Sequence, residues 1–93
     1  MSERLSDPDI EAGLAGLAGW TRHGDAIEKD FKFSGFPEAV AFVGRLVPPA
    51  EGLNHHPDLE IHYNRVLVAL STHSEGGVTA KDTDLAAVLD SLA

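Results

Sequence analysis

His55 and His56 stand side by side in front of Pro57, and His73 closes the apolar run that follows. An imidazole with an ordinary pKa of roughly 6.5 gives or takes a proton near neutrality, so converging histidines suit general acid/base catalysis. Convergence follows if Asn64-Arg65 is a two-residue hairpin loop. Tyr63 then pairs with Val66, and antiparallel counting brings His56 opposite His73 with His55 alongside. A lone histidine at a strand end is more often a solvated surface group. His23, beside the turn-forming Gly24-Asp25, and His62, which alternates with Leu59, Ile61 and Tyr63, take that reading and receive no role.

These side chains need elements to hold them. Asp7 followed by Pro8 is a helix start, with Asp7 accepting from free backbone donors and Ile10, Leu14 and Leu17 on one face. Ile27, Phe31 and Phe33 alternate with Glu28, Asp30 and Lys32 behind Gly24-Asp25, which predicts a first hairpin. Pro37 opens a second helix with an apolar stripe of Val40, Val43, Leu46 and Val47. Pro48-Pro49 is expected to end or kink it near Val47, since proline disfavours helical geometry in the residue before it. The second hairpin runs from about His56 to His73, with Val66, Val68 and Leu70 on one face of its return strand, and Gly76-Gly77 make its exit. Thr79 and Asp82 resemble a capping box that opens a last helix with Leu85, Val88, Leu89 and Leu92 inward. The order is α-β-β-α-β-β-α, an α+β two-layer fold in which helices cover one face of a four-stranded antiparallel sheet. The other face must stay wet, host a ligand or meet a partner.

Ninety-three residues suit a single domain spanning 1–93. A hydrophobic content of 43% is that of a folding chain, and no apolar stretch approaches the ~20 residues that span a bilayer. The start Met1-Ser2-Glu3-Arg4 has no secretory pattern, so a cytoplasmic location is expected. The absence of cysteine excludes disulfides, thiolate nucleophiles and cysteine-ligated metals. A net charge of -8 disfavours direct nucleic-acid binding, which needs Lys and Arg to neutralise phosphates.

The stretch EGLNHHPDLEIHYNRVLVALSTHSEGGVTAKD resembles the core of the pterin-4a-carbinolamine dehydratase family, also called 4a-hydroxytetrahydrobiopterin dehydratases. Glu51, His55, His56, Pro57, Tyr63, His73 and Asp82 match its spacing without a gap. The likeness extends upstream through Trp20, the FKFSGF segment and the following helix, and so covers nearly the whole chain.

The resemblance implies a lyase that removes water from 4a-hydroxytetrahydropterin to give the quinonoid dihydropterin, without a metal or organic cofactor. This supports tetrahydropterin recycling for aromatic amino acid hydroxylases, which are the implied pathway partners. By the same resemblance His55 and His73 take the acid/base roles and His56 mainly holds the pterin. Pro57, Thr72, Ser74 and Glu75 match positions that line the site in relatives. Asp82 either completes the capping box or supports an imidazole near His73, and Glu51 is a second possible support. Trp20 and Tyr63 could stack on a pterin, but aromatics on an apolar alternation are more often core.

Two rival readings stand beside this one. Some family members act through protein partners, as dimerisation cofactors, which would use a helix face or a sheet edge instead of the histidines. Three histidines and a carboxylate could also bind zinc or iron, although neighbours such as His55 and His56 point to opposite sides of a regular strand. Relatives assemble through helices and sheet edges, so a homodimer or homotetramer is expected.

Overall fold

Val66, Val68 and Leu70 are wholly buried, and their alternation decides which side of the sheet becomes the core. The structure, a computed structural model, describes residues 3–93. Its elements are α1 (Asp7–Ala15), β1 (Thr21–His23), β2 (Ala26–Lys32), α2 (Phe36–Gly52), β3 (Asp58–His62), β4 (Arg65–Leu70), a turn of 3-10 helix at His73–Glu75, and α3 (Ala80–Leu92). The strands form one antiparallel sheet in the order β1-β2-β4-β3, and the α+β fold is as the patterning predicts.

The core lies between the inner face of the sheet and the helices. Ile27 and Phe31 from β2 meet Ala39, Phe42 and Leu46 from α2 and Leu85, Ala86 and Leu89 from α3. Phe42 stacks at 4.8 Å from Phe31 and 5.1 Å from Phe33, and Trp20 meets Phe31 edge-on at 5.9 Å. Trp20 is a core residue whose Nε1 donates to Asp90 Oδ1 across 3.0 Å.

Three expectations are corrected at the level of local structure. Ser6, not Asp7, caps α1: its hydroxyl accepts from the Asp9 N–H at 3.3 Å, which leaves Asp7 free to accept from Arg22 at 2.6 Å. The β3–β4 loop is Tyr63-Asn64 instead of Asn64-Arg65, so His62 pairs with Arg65 and Ile61 with Val66. Asn64 sets this register because its backbone carbonyl accepts from the Phe33 N–H at 2.7 Å and its side chain donates to the Phe33 carbonyl at 3.1 Å, which extends the β2–β4 pairing by one residue. Tyr63 takes the left-handed corner at φ 52° and is 70% exposed, so it is not core.

The third correction is to α2, which does not stop near Val47 but passes through Pro48 and Pro49 to Gly52. Each proline lacks the N–H that would bond the carbonyl four residues earlier, yet its fixed φ is itself helical. Continuing the helix buries Ala50 in register with Leu46, and the Pro49 and Ala50 carbonyls accept from Leu53 and His55. The buried stripe is therefore Ala39, Phe42, Leu46 and Ala50, while Val40 and Val47 stay exposed on the outer side.

Candidate functional site

The extended α2 delivers the first two histidines. Beyond its last turn Asn54 adopts the left-handed conformation at φ 49°, one that its short polar side chain tolerates, and the His55 N–H returns to the Ala50 carbonyl at 3.0 Å. His55 is thereby folded under the helix end and is only 8% exposed.

Its partner is Asp82, which is wholly buried. Asp82 Oδ1 lies 2.5 Å from His55 Nε2, while Oδ2 accepts from the Thr79 N–H at 2.8 Å and the Thr72 hydroxyl at 2.9 Å. The Thr72 proton is committed to Asp82, so the Thr79 hydroxyl donates to Thr72 Oγ1 at 2.8 Å, and Thr79 Oγ1 in turn accepts from the Lys81 N–H at 3.2 Å. Capping and histidine support thus fall to one carboxylate. The ring it supports is His55, not His73.

His56 is bonded through Nε2 to Glu51 Oε2, both groups being exposed. Glu51 reaches it because α2 continues past the prolines.

His73 does not lie on a strand. β4 ends at Leu70, and Thr72 pairs with Gly77 to close a short loop in which His73–Glu75 make one turn and Gly76 takes the left-handed position at φ 73°. The strand register therefore does not bring the histidines together. The end of α2 supplies two and the closed loop after β4 supplies the third, while the Thr72 hydroxyl ties the loop to the carboxylate that holds His55.

A cavity of about 390 Å³ opens between these segments, lined by His55, His56, Thr72, His73 and Ser74. Asn54, Ser71 and Lys81 also line it and were not singled out from the sequence. Ser71 and Asn54 are chain neighbours of Thr72 and His55, a usable signal, whereas Lys81 arrives only through the packing of α3. Pro57 and Glu75 stand outside this lining, and Glu51 and Asp82 stand behind the rings they bond.

Asp82 takes His55 Nε2, so in the neutral ring this nitrogen carries the proton and Nδ1 is an acceptor. Among the described residues nothing bonds Nδ1. Among the described residues no buried side-chain nitrogen or oxygen lacks a partner, so Nδ1 reaches accessible space. Among the same residues no three His, Cys, Asp or Glu side chains are arranged to hold a metal ion, and no helix is long and apolar enough to cross a membrane.

The family model for pterin 4 alpha carbinolamine dehydratase matches residues 3–92. The chain belongs to that family. A pterin dehydratase relative from Thermosynechococcus vestitus, provisionally named for pterin-4-alpha-carbinolamine dehydratase, is 57% identical over all of this chain and 98% of its own. Another with the same provisional name, from Sulfolobus acidocaldarius, is 47% identical over 89% of this chain and 91% of its own. Among solved structures, a transcriptional coactivator/pterin dehydratase from Brucella melitensis superposes with a TM-score of 0.95 at 39% identity, covering 98% of this chain and 99% of its own. A pterin dehydratase-like protein described as a RuBisCO assembly factor of the alpha-carboxysome gives a TM-score of 0.63 at 22% identity over 78% of this chain and 84% of its own, which shows a shared fold.

Proposed function

We propose that this pterin dehydratase family member removes water from a 4a-hydroxytetrahydropterin by histidine acid/base catalysis and so serves tetrahydropterin recycling. The observation that carries the reading is the gathering of His55, His56 and His73 around one cavity, with His55 Nδ1 left free by the Asp82 bond to Nε2. Dehydration breaks the C4a–oxygen bond after a proton reaches the hydroxyl, and the C4a–N5 double bond forms as the N5 proton leaves. One imidazole donates and another accepts. His55 and His73 take these two roles, and His56, held by Glu51, positions the pterin together with Thr72 and Ser74. Pro57 and Glu75 flank the ring from beside the cavity. The carbinolamine would come from an aromatic amino acid hydroxylase.

Assembly as a homodimer or homotetramer belongs to the same reading. Phe36, Val40 and Val47 expose an apolar line along the outer side of α2, and β3 is an edge strand. These surfaces equally favour a second reading, a protein-interaction role, which the name of the Brucella melitensis relative includes.

The test is to follow quinonoid product by absorbance after generating 4a-hydroxytetrahydropterin chemically. Wild type should accelerate dehydration, and His55→Ala or His73→Ala should lose about a hundredfold or more of that acceleration. Folded wild-type protein that leaves the spontaneous rate unchanged would reject the dehydratase in favour of the interaction role.

A further inference from the structure

The lining of the cavity departs from the acidic composition of the chain. The sequence holds 15 acidic and 7 basic side chains, yet the ionisable groups lining the cavity are His55, His56, His73 and Lys81, with no carboxylate among them. Of the carboxylates beside the cavity, Asp82 is engaged by His55, Thr72 and Thr79 and Glu51 by His56, while Glu75 stands outside the lining.

Lys81 is the group that acid/base chemistry on a pterin ring leaves without a task. It occupies the first turn of α3 and is half-buried, with its backbone fixed by the bond to Thr79. Arg22, Lys29 and Arg65 each pair with an aspartate, whereas among the described residues no carboxylate lies within ion-pairing distance of the Lys81 ammonium. A cation on the wall of a cavity is screened less than one in open water, and an ammonium with three donors and no acceptor suits an anion.

We propose that Lys81 is a specificity residue that selects pterins whose ring side chain ends in an anionic group, a phosphate monoester or a carboxylate. This rests on the pterin reading of the site. The bicyclic ring lies among the histidines and the anionic tail meets the ammonium, so that the histidines act on the ring while Lys81 discriminates between substrates. No bond is made or broken at Lys81.

Equilibrium binding separates this from turnover. The probes are three fluorescent oxidised pterins, 6-hydroxymethylpterin, its phosphate ester and 6-carboxypterin, titrated against wild type, Lys81→Gln and Lys81→Arg with circular dichroism to verify folding. Wild type should bind the phosphate ester or the carboxylate about fivefold more tightly than the neutral pterin. Lys81→Gln should close that gap, Lys81→Arg should keep it, and raising salt from roughly 0.05 M to roughly 0.5 M should narrow it. The separate tail chemistries show which anion is preferred. Equal affinity for neutral and anionic pterins in wild type, or a preference that survives Lys81→Gln, overturns the proposal. Dehydration without an anion preference defeats the proposal and leaves the dehydratase standing. An anion preference without dehydration does the reverse, and no binding of any of the three probes defeats the proposal while the dehydration assay alone decides the dehydratase.

Discussion

Asp82 Oδ1 stands 2.5 Å from His55 Nε2, with the aspartate wholly buried and the imidazole nearly so, and this contact fastens the head of α3 to the chain just beyond α2. The second carboxylate oxygen holds the Thr79 N–H and the Thr72 hydroxyl, so the helix cap, the His73 loop and the His55 ring share one anchor.

Substitution can separate those duties. Asp82→Asn should lower both dehydration rate and stability, the latter by about 1–3 kcal/mol, because a buried hydrogen-bonded network loses a member. Thr79→Ala should cost about 1 kcal/mol through the cap while leaving the His55 contact intact. Urea unfolding beside steady-state rates checks this: a Thr79→Ala variant as inactive as Asp82→Asn would mean that Asp82 matters to catalysis only through the cap.

Restoring the donor missing at Pro49 tests the price of carrying α2 to Glu51. Pro49→Ala supplies an N–H for the Arg45 carbonyl, and although the more flexible alanine also frees the unfolded chain, a net gain on the order of 1 kcal/mol is expected. Thermal unfolding reads it. A lower melting temperature would show that the proline ring's own packing outweighs the lost bond.

The outer side of α2 should hold copies of the chain together. Val40 is 42% and Val47 50% exposed, and a Val40→Glu/Val47→Glu double variant should shift mass in light scattering from an oligomer towards the monomer with the far-ultraviolet circular dichroism unchanged. An unchanged oligomer would move the interface to the β3 edge, and a monomeric wild type would remove it.

Acid should weaken the contact between α1 and β1. The hydrogen bond from Arg22 and then its charge hold the Asp7 carboxyl below its ordinary 3.8, so the pair's contribution is present above that value and fades as pH falls through the lower folded one. Carbon NMR titration of Asp7 should show its midpoint rise toward 3.8 in Arg22→Gln, and the stability difference between the two proteins should shrink in strong acid to what the Arg22 bond to the Gly24 carbonyl contributes. A midpoint unmoved by the substitution would rule out Arg22 as the cause.

Much of this was legible in the sequence because it depends on near neighbours. Alternation at Val66, Val68 and Leu70 marks a half-buried strand, Thr79 and Asp82 carry a capping box within one helical turn, and Gly24-Asp25 marks a turn. The histidine trio and the family resemblance likewise follow from residue types and spacing. Tertiary structure decided what depends on distant partners. Asn64 bonding to Phe33 fixed the β3–β4 register, burial of Ala50 carried α2 through two prolines, and the loop closed by Thr72 and Gly77 turned His73 toward the cavity. Asp82 found His55 instead of His73, and Lys81 reached the cavity, because the docking of α3 sets those distances. Local propensity is written in a few consecutive residues, whereas a hydrogen bond across the chain exists only after packing has removed both groups from water and left each other as their partner.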